Sequence, residues 1–457
     1  MNILFAVSEA LPFIKTGGLA DVAGSLPQEL GARGHRLLVF LPFYRQLEGL
    51  RQPAKLAEFK LRLGAEEHPG AVYMQSGAAP GVEYYFIAAA PFFDRPHAYG
   101  PPGGEYADNG LRFIFFCRAI AASVALRKLE IDVVHCHDWQ TALLPVFLKT
   151  IYRDQPFFHG GSLFTIHNLA YQGIHSKELL PLSGLGWEEF TPEKLEFFDS
   201  INFLKGGLVY ADRLNTVSPS YSREILNPEN GCGLDGVLRN RIADLSGILN
   251  GVDYREWDPR HDPFLEYHYR PERMEGKKIC RKKLALSFGL ADNPGIPLIG
   301  MVSRLAEQKG FDLILPLLEE VEKFTAAFVF LGSGDPAIEN QLQQLSRRFP
   351  GQIAFIAGYD NRLAHLLEAG ADLFLMPSRY EPCGLNQMYS LRYGTVPLVR
   401  AVGGLNDCIE DFSPDHPRGN GFKFSEYRVG ALAHSLERAI KLYAEPRLWH
   451  KLRDNGM

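Results

Sequence analysis

The chain has 457 residues, which suggests about two or three domains rather than one. Hydrophobic residues make up 46% and charged residues 22%, a balance that supplies enough apolar mass for large cores. The formal net charge of −5, from 48 Lys and Arg against 53 Asp and Glu, argues against a basic nucleic-acid binder, and no basic amphipathic run predicts a membrane-surface protein.

The N-terminal segment MNILFAVSEALPF has neither a basic region nor a small-residue cleavage site, so it does not predict a signal or transit peptide. No run of about 18 uncharged apolar residues predicts a membrane span. The six cysteines are scattered without a CxxC pair, which argues against a disulfide framework and a structural zinc cluster. We therefore expect a cytoplasmic protein.

Eleven short runs rich in Val, Ile, Leu and Phe predict strands that are buried on both faces. Six of them lie in the first half of the chain, at residues 3–8, 37–41, 84–88, 133–137, 163–167 and 214–218. Five lie in the second half, at residues 297–303, 326–332, 353–357, 373–378 and 396–402.

The runs alternate with helical segments such as 111–129 and 313–324, a pattern that predicts βαβ units and parallel sheets. Eleven strands are too many for one open sheet, and they group as six and five. The sequence predicts an α/β protein with two Rossmann-like, doubly wound domains that face a central cleft. The expected boundaries are 1–250 for the first domain, 251–272 for a linker and 273–457 for the second domain.

Polar residues follow many of the predicted strands. Ligands of open α/β sheets bind outside the carboxyl ends of the strands. Polar strand ends also occur simply because loops are solvated, but these ends carry His, Asp, Arg and Gly in both halves, which favours a shared ligand site. They are Ser8-Glu9, His137-Asp138, His167-Asn168, Ser303-Arg304, Gly332-Ser333-Gly334 and Ser378.

The segment KTGGLAD (15–21) follows the first strand. Glycine amides and a helix N-terminus can approach an anion closely, and Lys15 would add a full positive charge. The spacing is neither a Walker A loop nor GxGxxG, and a Gly-Gly turn before a helix is often only a turn. Pro27 predicts that the following helix is short or kinked.

His135 and His137 project to one face of a strand, a spacing that also occurs in metal sites, although strand-end histidines more often bind a ligand or the backbone. Asp138 is the better catalytic candidate, since it can orient or deprotonate an attacking hydroxyl. His167 and Asn168 can bind sugar hydroxyls without bringing a net charge. An ordinary hydrogen-bonded strand end is the alternative for the latter pair.

In the second half, Arg304 and Lys309 lie five residues apart at a strand–turn–helix junction and can converge on a diphosphate. The alternative is ordinary surface charge. Glu381 precedes a glycine-containing helix start, which suits ligand hydroxyls and phosphate but also describes a capped helix. Cys383 has no identifiable His partner, so a covalent thiol mechanism is not expected.

Taken in order, these segments resemble the bacterial glycogen synthase and starch synthase family. The similarity spans nearly the whole chain, and KTGGL is specific to that family. The matching segments are SEALPFIKTGGLADV (8–22), YADNGLRF (106–113), HCHDWQ (135–140), TIHNLAYQG (165–173), LNGVD (249–253), RLAEQKG (304–310), EPCGLNQ (381–387), RAVGGL (400–405) and GNGF (419–422).

The resemblance implies a GT-B fold and retaining transfer of glucose from ADP-glucose to the non-reducing 4-hydroxyl of an α-1,4-glucan such as glycogen or a maltooligosaccharide. Arg304 and Lys309 would neutralise the departing diphosphate, so neither a metal nor a cofactor is expected. No second carboxylate is needed, unlike in glycosidases, because the diphosphate itself can take the acceptor's proton.

The implied catalytic set is Asp138, His167, Arg304, Lys309 and Glu381, with Glu381 on the donor glucose hydroxyls. Whether Asp138 is a base or only positions sugar stays open. The implied substrate-binding set is Lys15, Gly17 and Gly18 at the diphosphate, Asp21 and Tyr99 near the donor, Asn168 at glucose, Tyr359 on adenine, Cys383, Gly384 and Leu385 at phosphate, and Asn250 and Gly332.

Asn386, Cys408 and Ala306 stand where many members of that family have Thr. The family usually continues past the equivalent of Met457 through a helix that crosses back to the first domain, and its absence here predicts looser domain closure. Two alternatives remain: a nucleotide-sugar transferase of the same fold with a small acceptor, and an inactive glucan-binding homologue.

Overall fold

A computed structural model describes residues 1–101, 103–156 and 158–457, including every side chain in these ranges except that of His159. The chain divides into two compact units. The first unit comprises Met1–Val217 and Ser222–Ile248, and the second comprises Ser218–Tyr221 and Leu249–Met457.

The first unit is built on a nine-stranded sheet in the order β12-β11-β7-β6-β1-β2-β5-β4-β3, with a separate small sheet in the order β8-β10-β9. Its strands are β1 (Asn2–Ala6), β2 (Arg36–Pro42), β3 (Ala54–Leu63), β4 (Glu66–Ser76), β5 (Val82–Ala88), β6 (Ile131–His137), β7 (Phe158–Ile166), β8 (Ile174–Ser176), β9 (Glu196–Phe197), β10 (Ser200–Asn202), β11 (Arg213–Thr216) and β12 (Leu245–Gly247).

The α-helices of this part of the chain connect successive strands. They are α1 (Gly18–Ala32), α2 (Ala90–Phe93), α3 (Asn109–Arg127), α4 (Leu143–Lys149), α5 (Leu179–Ser183), α6 (Phe203–Tyr210), α7 (Pro219–Glu224) and α8 (Asp235–Asn240), with a 3-10 helix at Trp187–Glu189.

The six strands predicted in the first half are all present, and they pair in parallel in the order β11-β7-β6-β1-β2-β5. The order changes direction between β1 and β6, so the carboxyl ends of these two strands form the ligand-binding position of a doubly wound sheet. The antiparallel hairpin β3–β4 was not predicted from the sequence. Most of its residues are partly or fully exposed, so it lacks the continuous apolar run of a buried strand.

The helix α1 is not shortened by Pro27, which was one of the two outcomes expected from the sequence. Pro27 lies inside it, but the helix continues to Ala32 and spans 15 residues, so it is not short. Pro27 is buried together with Leu19, Ala20 and Ala23. Burial of this face stabilises the helix and offsets the backbone hydrogen bond that proline cannot donate.

The helix α3 is the one helix within the described ranges that is long and apolar enough to cross a membrane by length and composition alone. Of its apolar window, 72% is buried inside the protein. Arg112, in its first half, is fully buried and donates hydrogen bonds to the Phe92 carbonyl and to Asn109 Oδ1. The apolar character of α3 is therefore accounted for by the core of the first unit.

The second unit contains a six-stranded, all-parallel sheet in the order β15-β14-β13-β16-β17-β18. Its strands are β13 (Leu298–Val302), β14 (Ala327–Gly332), β15 (Ile353–Ala357), β16 (Leu373–Met376), β17 (Val396–Arg400) and β18 (Phe422–Phe424). Its α-helices are α9 (Glu275–Ser287), α10 (Phe311–Glu319), α11 (Pro336–Arg348), α12 (Asn361–Gly370), α13 (Asn386–Arg392), α14 (Gly403–Cys408), α15 (Val429–Tyr443) and α16 (Pro446–Gly456), with 3-10 helices at Glu307–Lys309 and Val321–Lys323.

This sheet is buried on both faces, as its sequence predicts. Along β14, Phe328 and Phe330 belong to one hydrophobic cluster, whereas Val329 and Leu331 belong to another. Alternate residues of a strand point to opposite faces, so the two clusters are the cores on the two sides of the sheet. The strand order reverses between β13 and β16, which defines the ligand-binding position of this unit.

The segment predicted as a linker, 251–272, is counted with the second unit in this division of the chain. Its Trp257 stacks on the His365 ring at a centroid distance of 3.7 Å and on the Tyr389 ring at 3.9 Å. The hydroxyl of Tyr269 donates to the main-chain oxygen of Tyr393 at 2.8 Å and lies 3.2 Å from that of Ala369. Because these aromatic residues pack on the second unit, the segment is not a solvated linker. Its charged and proline-containing composition did not indicate this packing.

Candidate active site

The loop between β1 and α1 is held by a buried carboxylate, Glu9. Its Oε2 accepts hydrogen bonds from the backbone N–H of Thr16 at 2.6 Å and from the Thr16 hydroxyl at 2.5 Å. Burial raises the pKa of Glu9 to about 7, the two Thr16 bonds oppose this rise, and the neighbouring Asp21 adds to it. Glu9 therefore fixes the segment that carries Lys15, Gly17 and Gly18.

Lys15 and Asp21 form an ion pair, with Lys15 Nζ 2.7 Å from Asp21 Oδ1. Burial raises the pKa of Asp21, and the charge of Lys15 opposes that rise. Gly17 has an extended backbone (φ −155°) and precedes the first residue of α1, Gly18. A Cβ on Gly17 would lie 3.6 Å from Glu9 Oε1, an ordinary contact, so the fold alone does not require glycine there.

Asp138 follows β6 and has a left-handed backbone conformation with φ +56°. This conformation costs free energy in a non-glycine residue and is often retained at functional positions. Its Oδ1 accepts a 2.7 Å hydrogen bond from the backbone N–H of His167, and the N–H of Asn168 is a second donor to the carboxylate. Burial nevertheless raises the pKa of Asp138 to about 7, and the charge of Glu9 contributes to the rise.

Three histidines lie side by side at the carboxyl ends of β6 and β7. The rings of His135 and His137 are 4.0 Å apart, and His137 Nδ1 lies 3.0 Å from His167 Nε2. Burial lowers the pKa of His135 and of His167 to about 3 and holds that of His137 well below its ordinary value. All three are therefore neutral near pH 7.

This arrangement does not resemble a metal site. His135 Nε2 is bonded to Thr165 Oγ1 at 2.7 Å, and His137 is bonded to His167. Within the described ranges, no group of three or more His, Cys, Asp and Glu side chains is arranged to hold a metal ion.

Tyr99 and Asn168 are partly buried. The Tyr99 hydroxyl is 2.8 Å from Ser8 Oγ, at the end of β1, and burial raises the pKa of this phenol, with Glu9 adding to the rise. The Asn168 Oδ1 accepts the backbone N–H of Ala170 at 3.1 Å, which shapes the turn after β7.

In the second unit, the predicted catalytic residues Lys309 and Glu381 are brought together. Lys309 Nζ lies 2.6 Å from Glu381 Oε2, and both side chains are largely buried. Ser378 Oγ donates to the same carboxylate oxygen at 2.9 Å. Since a lysine ammonium has three N–H donors, Lys309 can bind Glu381 and a phosphate oxygen together.

Arg304 is exposed, and its guanidinium donates to Gln308 Oε1 at 3.2 Å.

The turn that follows packs against the end of β16: Gly310 has φ +81°, and a Cβ there would lie 2.2 Å from the Pro377 carbonyl oxygen. Glycine is required at this position for both reasons. The turn brings the segment after β13 against the segment before Glu381, at the position where the strand order reverses.

The loop after Glu381 is fixed by the two glycines that begin α14. A Cβ on Gly403 would lie 1.9 Å from the Glu381 carbonyl oxygen, and one on Gly404 would lie 2.2 Å from the Cys383 carbonyl oxygen. Gly384 has φ +73°, and Leu385 is the residue before α13. The sequence predicts that these segments contact a ligand, but it contains no signal for this close backbone packing.

Cys383 is buried, and burial raises its pKa to about 12, so it is not a thiolate near pH 7. The backbone N–H of Asn250 bonds to its sulfur and opposes this rise. The carbonyl of the preceding residue, Pro382, accepts a 2.7 Å hydrogen bond from Ser218 Oγ. Asn250 thus contacts the Glu381 loop through its main chain.

Gly332 and Tyr359 lie on neighbouring strand ends, where the N–H of Gly358 donates to the Gly332 carbonyl at 2.9 Å. A Cβ on Gly332 would lie 2.0 Å from the Ser303 carbonyl oxygen, so backbone packing already explains this glycine. The Tyr359 ring is 61% exposed, and its hydroxyl donates to Asn361 Oδ1 at 2.9 Å. An exposed ring at this edge offers a flat surface for stacking.

Two families match consecutive parts of the chain. Residues 2–240 match the family described as "Starch synthase catalytic domain", and residues 284–456 match "Glycosyl transferases group 1". Glycogen synthases from Koribacter versatilis and Myxococcus xanthus are each 46% identical to the chain, cover all of it, and are themselves covered over 94% and 95% of their lengths.

Solved structures agree with these matches. The catalytic domain of starch synthase IV from Arabidopsis thaliana, bound to ADP and acarbose, superposes with a TM-score of 0.92 at 30% identity, over 100% of this chain and 94% of that one. Sucrose-phosphate synthase from Thermosynechococcus elongatus has a TM-score of 0.61 at 16% identity, with coverage of 100% and 92%, which shows the fold alone.

The fold and the matches define a two-domain glycosyltransferase with GT-B architecture, as the sequence predicts. The chain belongs to the glycogen synthase and starch synthase family. Its activity is glucosyl transfer in glycogen or starch synthesis, from a nucleotide-sugar donor to a glucan acceptor.

Proposed function

We propose that the chain transfers glucose from ADP-glucose to the non-reducing 4-hydroxyl of an α-1,4-glucan, with retention of configuration. The observation that carries the proposal is the Lys309–Glu381 ion pair at the reversal of strand order in the second unit. It combines a cation suited to a phosphate with a carboxylate suited to sugar hydroxyls. The ADP and acarbose bound to the related starch synthase IV support this choice of donor and acceptor.

In the second unit, Arg304 and Lys309 bind the diphosphate and stabilise the negative charge that grows on it as the glycosidic bond breaks. Glu381 accepts hydrogen bonds from hydroxyls of the donor glucose. The backbone amides of Cys383, Gly384 and Leu385 bind phosphate, and the Tyr359 ring stacks on adenine. Asn250 and Gly332 complete this set of substrate-binding residues.

In the first unit, Lys15 and the amides of Gly17 and Gly18 face the diphosphate, while Asp21 and Tyr99 lie near the donor. His167 and Asn168 bind glucose hydroxyls. Their neutrality suits an uncharged sugar, since neither brings an uncompensated charge to the site. Asp138 orients the acceptor sugar or accepts a proton from it.

The reaction exchanges one bond at the glucose C1 for another. The bond from C1 to the donor phosphate oxygen breaks, and a bond from C1 to the acceptor O4 forms on the same face. The proton of the acceptor hydroxyl passes to the departing phosphate, either directly or through Asp138, and the phosphate leaves as ADP. Cations on the phosphate accelerate the reaction because they bind it more strongly as its negative charge increases.

The test is release of nucleotide and labelling of polymer from ADP-glucose and from UDP-glucose, each with and without an α-glucan primer. We expect glucan-dependent ADP release with label in the polymer and a preference for ADP-glucose. Transfer to a small sugar in preference to glucan would favour the small-acceptor transferase. Glucan binding without turnover of either donor would favour the inactive homologue.

We also propose that the protein works in the cytoplasm. All six cysteines lie within the described ranges, and none of them forms a disulfide. Unpaired and mostly buried thiols fit a reducing compartment. Fractionation of the native host and detection of the protein in the soluble cytoplasmic fraction would test this assignment.

A further inference from the structure

His137 makes a hydrogen bond whose partner is a candidate catalytic residue. The His137 side chain is 1% exposed, and its Nδ1 lies 3.0 Å from His167 Nε2. Its other ring nitrogen, Nε2, is buried and has no hydrogen-bond partner among the described residues. The bond to His167 is therefore the polar contact that the ring makes within that part of the chain.

Packing fixes the His137 ring in place. It lies 4.2 Å from the Phe5 ring and 4.0 Å from the His135 ring, both tilted by less than 40°. Its main chain is held by Thr141, whose hydroxyl accepts from the His137 N–H at 2.7 Å and donates to the His137 carbonyl at 2.8 Å. The ring therefore has a fixed orientation that the His167 bond does not have to supply.

His167 is held at two points by consecutive residues. The backbone N–H of His167 donates to Asp138 Oδ1 at 2.7 Å, while its Nε2 meets His137 Nδ1. With Nε2 occupied by His137, Nδ1 is the ring nitrogen of His167 that is left for a ligand. The proton of the His137–His167 bond belongs to one of the two rings. Which ring carries it decides whether His167 Nδ1 is a donor or an acceptor.

The neighbouring pair shows how such a tautomer is set. The Thr165 hydroxyl donates to Asn215 Oδ1, which can only accept. Its single proton is thereby used, so Thr165 Oγ1 must accept the 2.7 Å bond from His135 Nε2, which carries the proton. His135 is thus a neutral Nε2–H tautomer whose protonation is fixed without involving His167.

For His137 the choice depends on the buried Nε2. A proton on Nε2 would be a buried N–H without an acceptor among the described residues, since this nitrogen has no hydrogen-bond partner there. A buried N–H without an acceptor is rare in proteins because it loses its hydrogen bond to water. A proton on Nδ1 instead forms the bond to His167.

We infer that His137 is a positioning residue that donates from Nδ1 to His167 Nε2 and holds His167 as the Nδ1–H tautomer, so that His167 offers a hydrogen-bond donor to a sugar oxygen. The ligand class rests on the proposed function, whereas the tautomer concerns this chain alone. Replacement of His137 should therefore act on catalysis through His167.

The first test is ¹⁵N NMR of the histidine side chains in the ligand-free protein, with His167→Ala used to assign the His167 signals. We expect a protonated Nδ1 and an unprotonated Nε2 in His167. In His137→Phe, which keeps a flat ring between Phe5 and His135, we expect the His167 tautomer to become mixed. A protonated Nε2 in wild-type His167 would overturn the inference.

The second test is a double-mutant cycle on the initial rate of glucosyl transfer. We expect His137→Phe to lower kcat by about tenfold, the value of one hydrogen bond, with the KM for glucan nearly unchanged, and His137→Asn, whose amide reproduces the Nδ1 donor, to restore most of it. In the His167→Ala background, His137→Phe should have no further effect. An equal loss in both backgrounds would overturn the inference.

Thr165→Val is the matched control. It breaks the bonds of Thr165 to His135 on β6 and to Asn215 on β11 but leaves the His137–His167 bond intact. We expect lower thermal stability with unchanged kcat and an unchanged His167 tautomer. If the wild-type protein shows no glucosyl transfer, the proposed function fails, while the NMR test of the tautomer still stands.

Discussion

The polar clusters at the two strand-order reversals differ in the kind of side chains they contain and in their charge. In the first unit, burial raises the pKa of the Glu9 and Asp138 carboxyls to about 7 and keeps His135, His137 and His167 neutral. In the second unit, Lys309 and Glu381 form a partly enclosed ion pair at 2.6 Å. Under the proposed function, the neutral histidines of the first cluster suit sugar hydroxyls, and the Lys309 cation of the second suits the diphosphate that Lys15 also faces.

Removal of the second-unit cation should have the largest effect. Lys309→Met keeps the aliphatic stem but removes the charge that stabilises the leaving diphosphate, so we expect kcat to fall about a thousandfold. The KM for glucan should change little, since the acceptor is assigned to the first unit. Steady-state kinetics with ADP-glucose would measure both.

Lys323→Met is the control for the loss of a lysine charge from the same unit. Lys323 is exposed and pairs with Glu320 on a 3-10 helix. It should retain wild-type kinetics. Activity of Lys309→Met within threefold of wild type would contradict the assigned role of Lys309. The proposal that this cluster stabilises the leaving diphosphate would then fail as well.

The first-unit cluster is tested by Asp138→Asn. Because burial raises the pKa of Asp138 to about 7, a catalytic base at this position would make kcat/KM rise as the pH increases through 7. We expect the substitution to lower kcat about 100-fold and to abolish that rise. Since Glu9 also has a pKa of about 7 and interacts with Asp138, the wild-type profile reports the pair.

Asp132→Asn, at the opposite end of β6, is the control, because this carboxylate accepts the backbone N–H of Asn2 and is assigned no part in the reaction. It should leave the pH profile unchanged. If Asp138→Asn raises the KM for glucan but keeps the pH dependence, Asp138 positions the sugar and is not the base.

The eleven predicted strands were recognisable because each contains a short apolar run, which most of them bury on both faces. The hairpin β3–β4 was not, since a half-exposed antiparallel pair has no such run. Trp257 and Tyr269 explain why the segment 251–272 packs on the second unit. Isolated aromatic residues in a charged stretch do not predict such packing.

The candidate site was predictable as a set of strand ends, but its internal bonds were not. The His137–His167 bond depends on the register of β6 and β7, in which His137 pairs with Thr165 and His167 lies two residues further on. Sequence alone does not specify that register. The left-handed conformation of Asp138 and the Glu9–Thr16 bonds likewise arise only from tertiary packing.

The assignment of the nucleotide to the second unit is tested by Tyr359→Ala. Loss of a stacked base should raise the KM for ADP-glucose about tenfold and leave kcat nearly unchanged. Tyr267→Ala, at another exposed tyrosine of the same unit, is the control and should leave this KM unchanged. An unchanged KM in Tyr359→Ala would mean that adenine is bound elsewhere.

The smallest effect on activity is expected from Glu368→Gln. This substitution tests whether a raised pKa is enough to identify a residue of the active site. Glu368 is fully buried in the second unit, and burial raises its pKa to about 8, although Ser390 and Asn386 donate hydrogen bonds to it. The unfolded chain has an ordinary glutamate there. Between pH 4.5 and 8 the folded protein therefore binds more protons than the unfolded one, and stability falls as the pH rises.

Glutamine offers its carbonyl oxygen to the Asn386 amide and its NH2 group to Ser390 Oγ, since a hydroxyl can accept as well as donate. It cannot ionise, so the substitution should flatten that dependence. The wild-type loss across this window is expected to be a few kcal/mol, at about 1.4 kcal/mol for each pKa unit. Calorimetric unfolding of wild type and Glu368→Gln at pH 5, 6.5 and 8 would measure it, with activity as the control. We expect wild-type kinetics in the variant, because Glu368 lies beneath α13 and is assigned no substrate contact. A large loss of kcat at unchanged stability would show that this buried carboxyl takes part in the reaction. Carboxyls with a raised pKa would then be functional in both units and not only in the first.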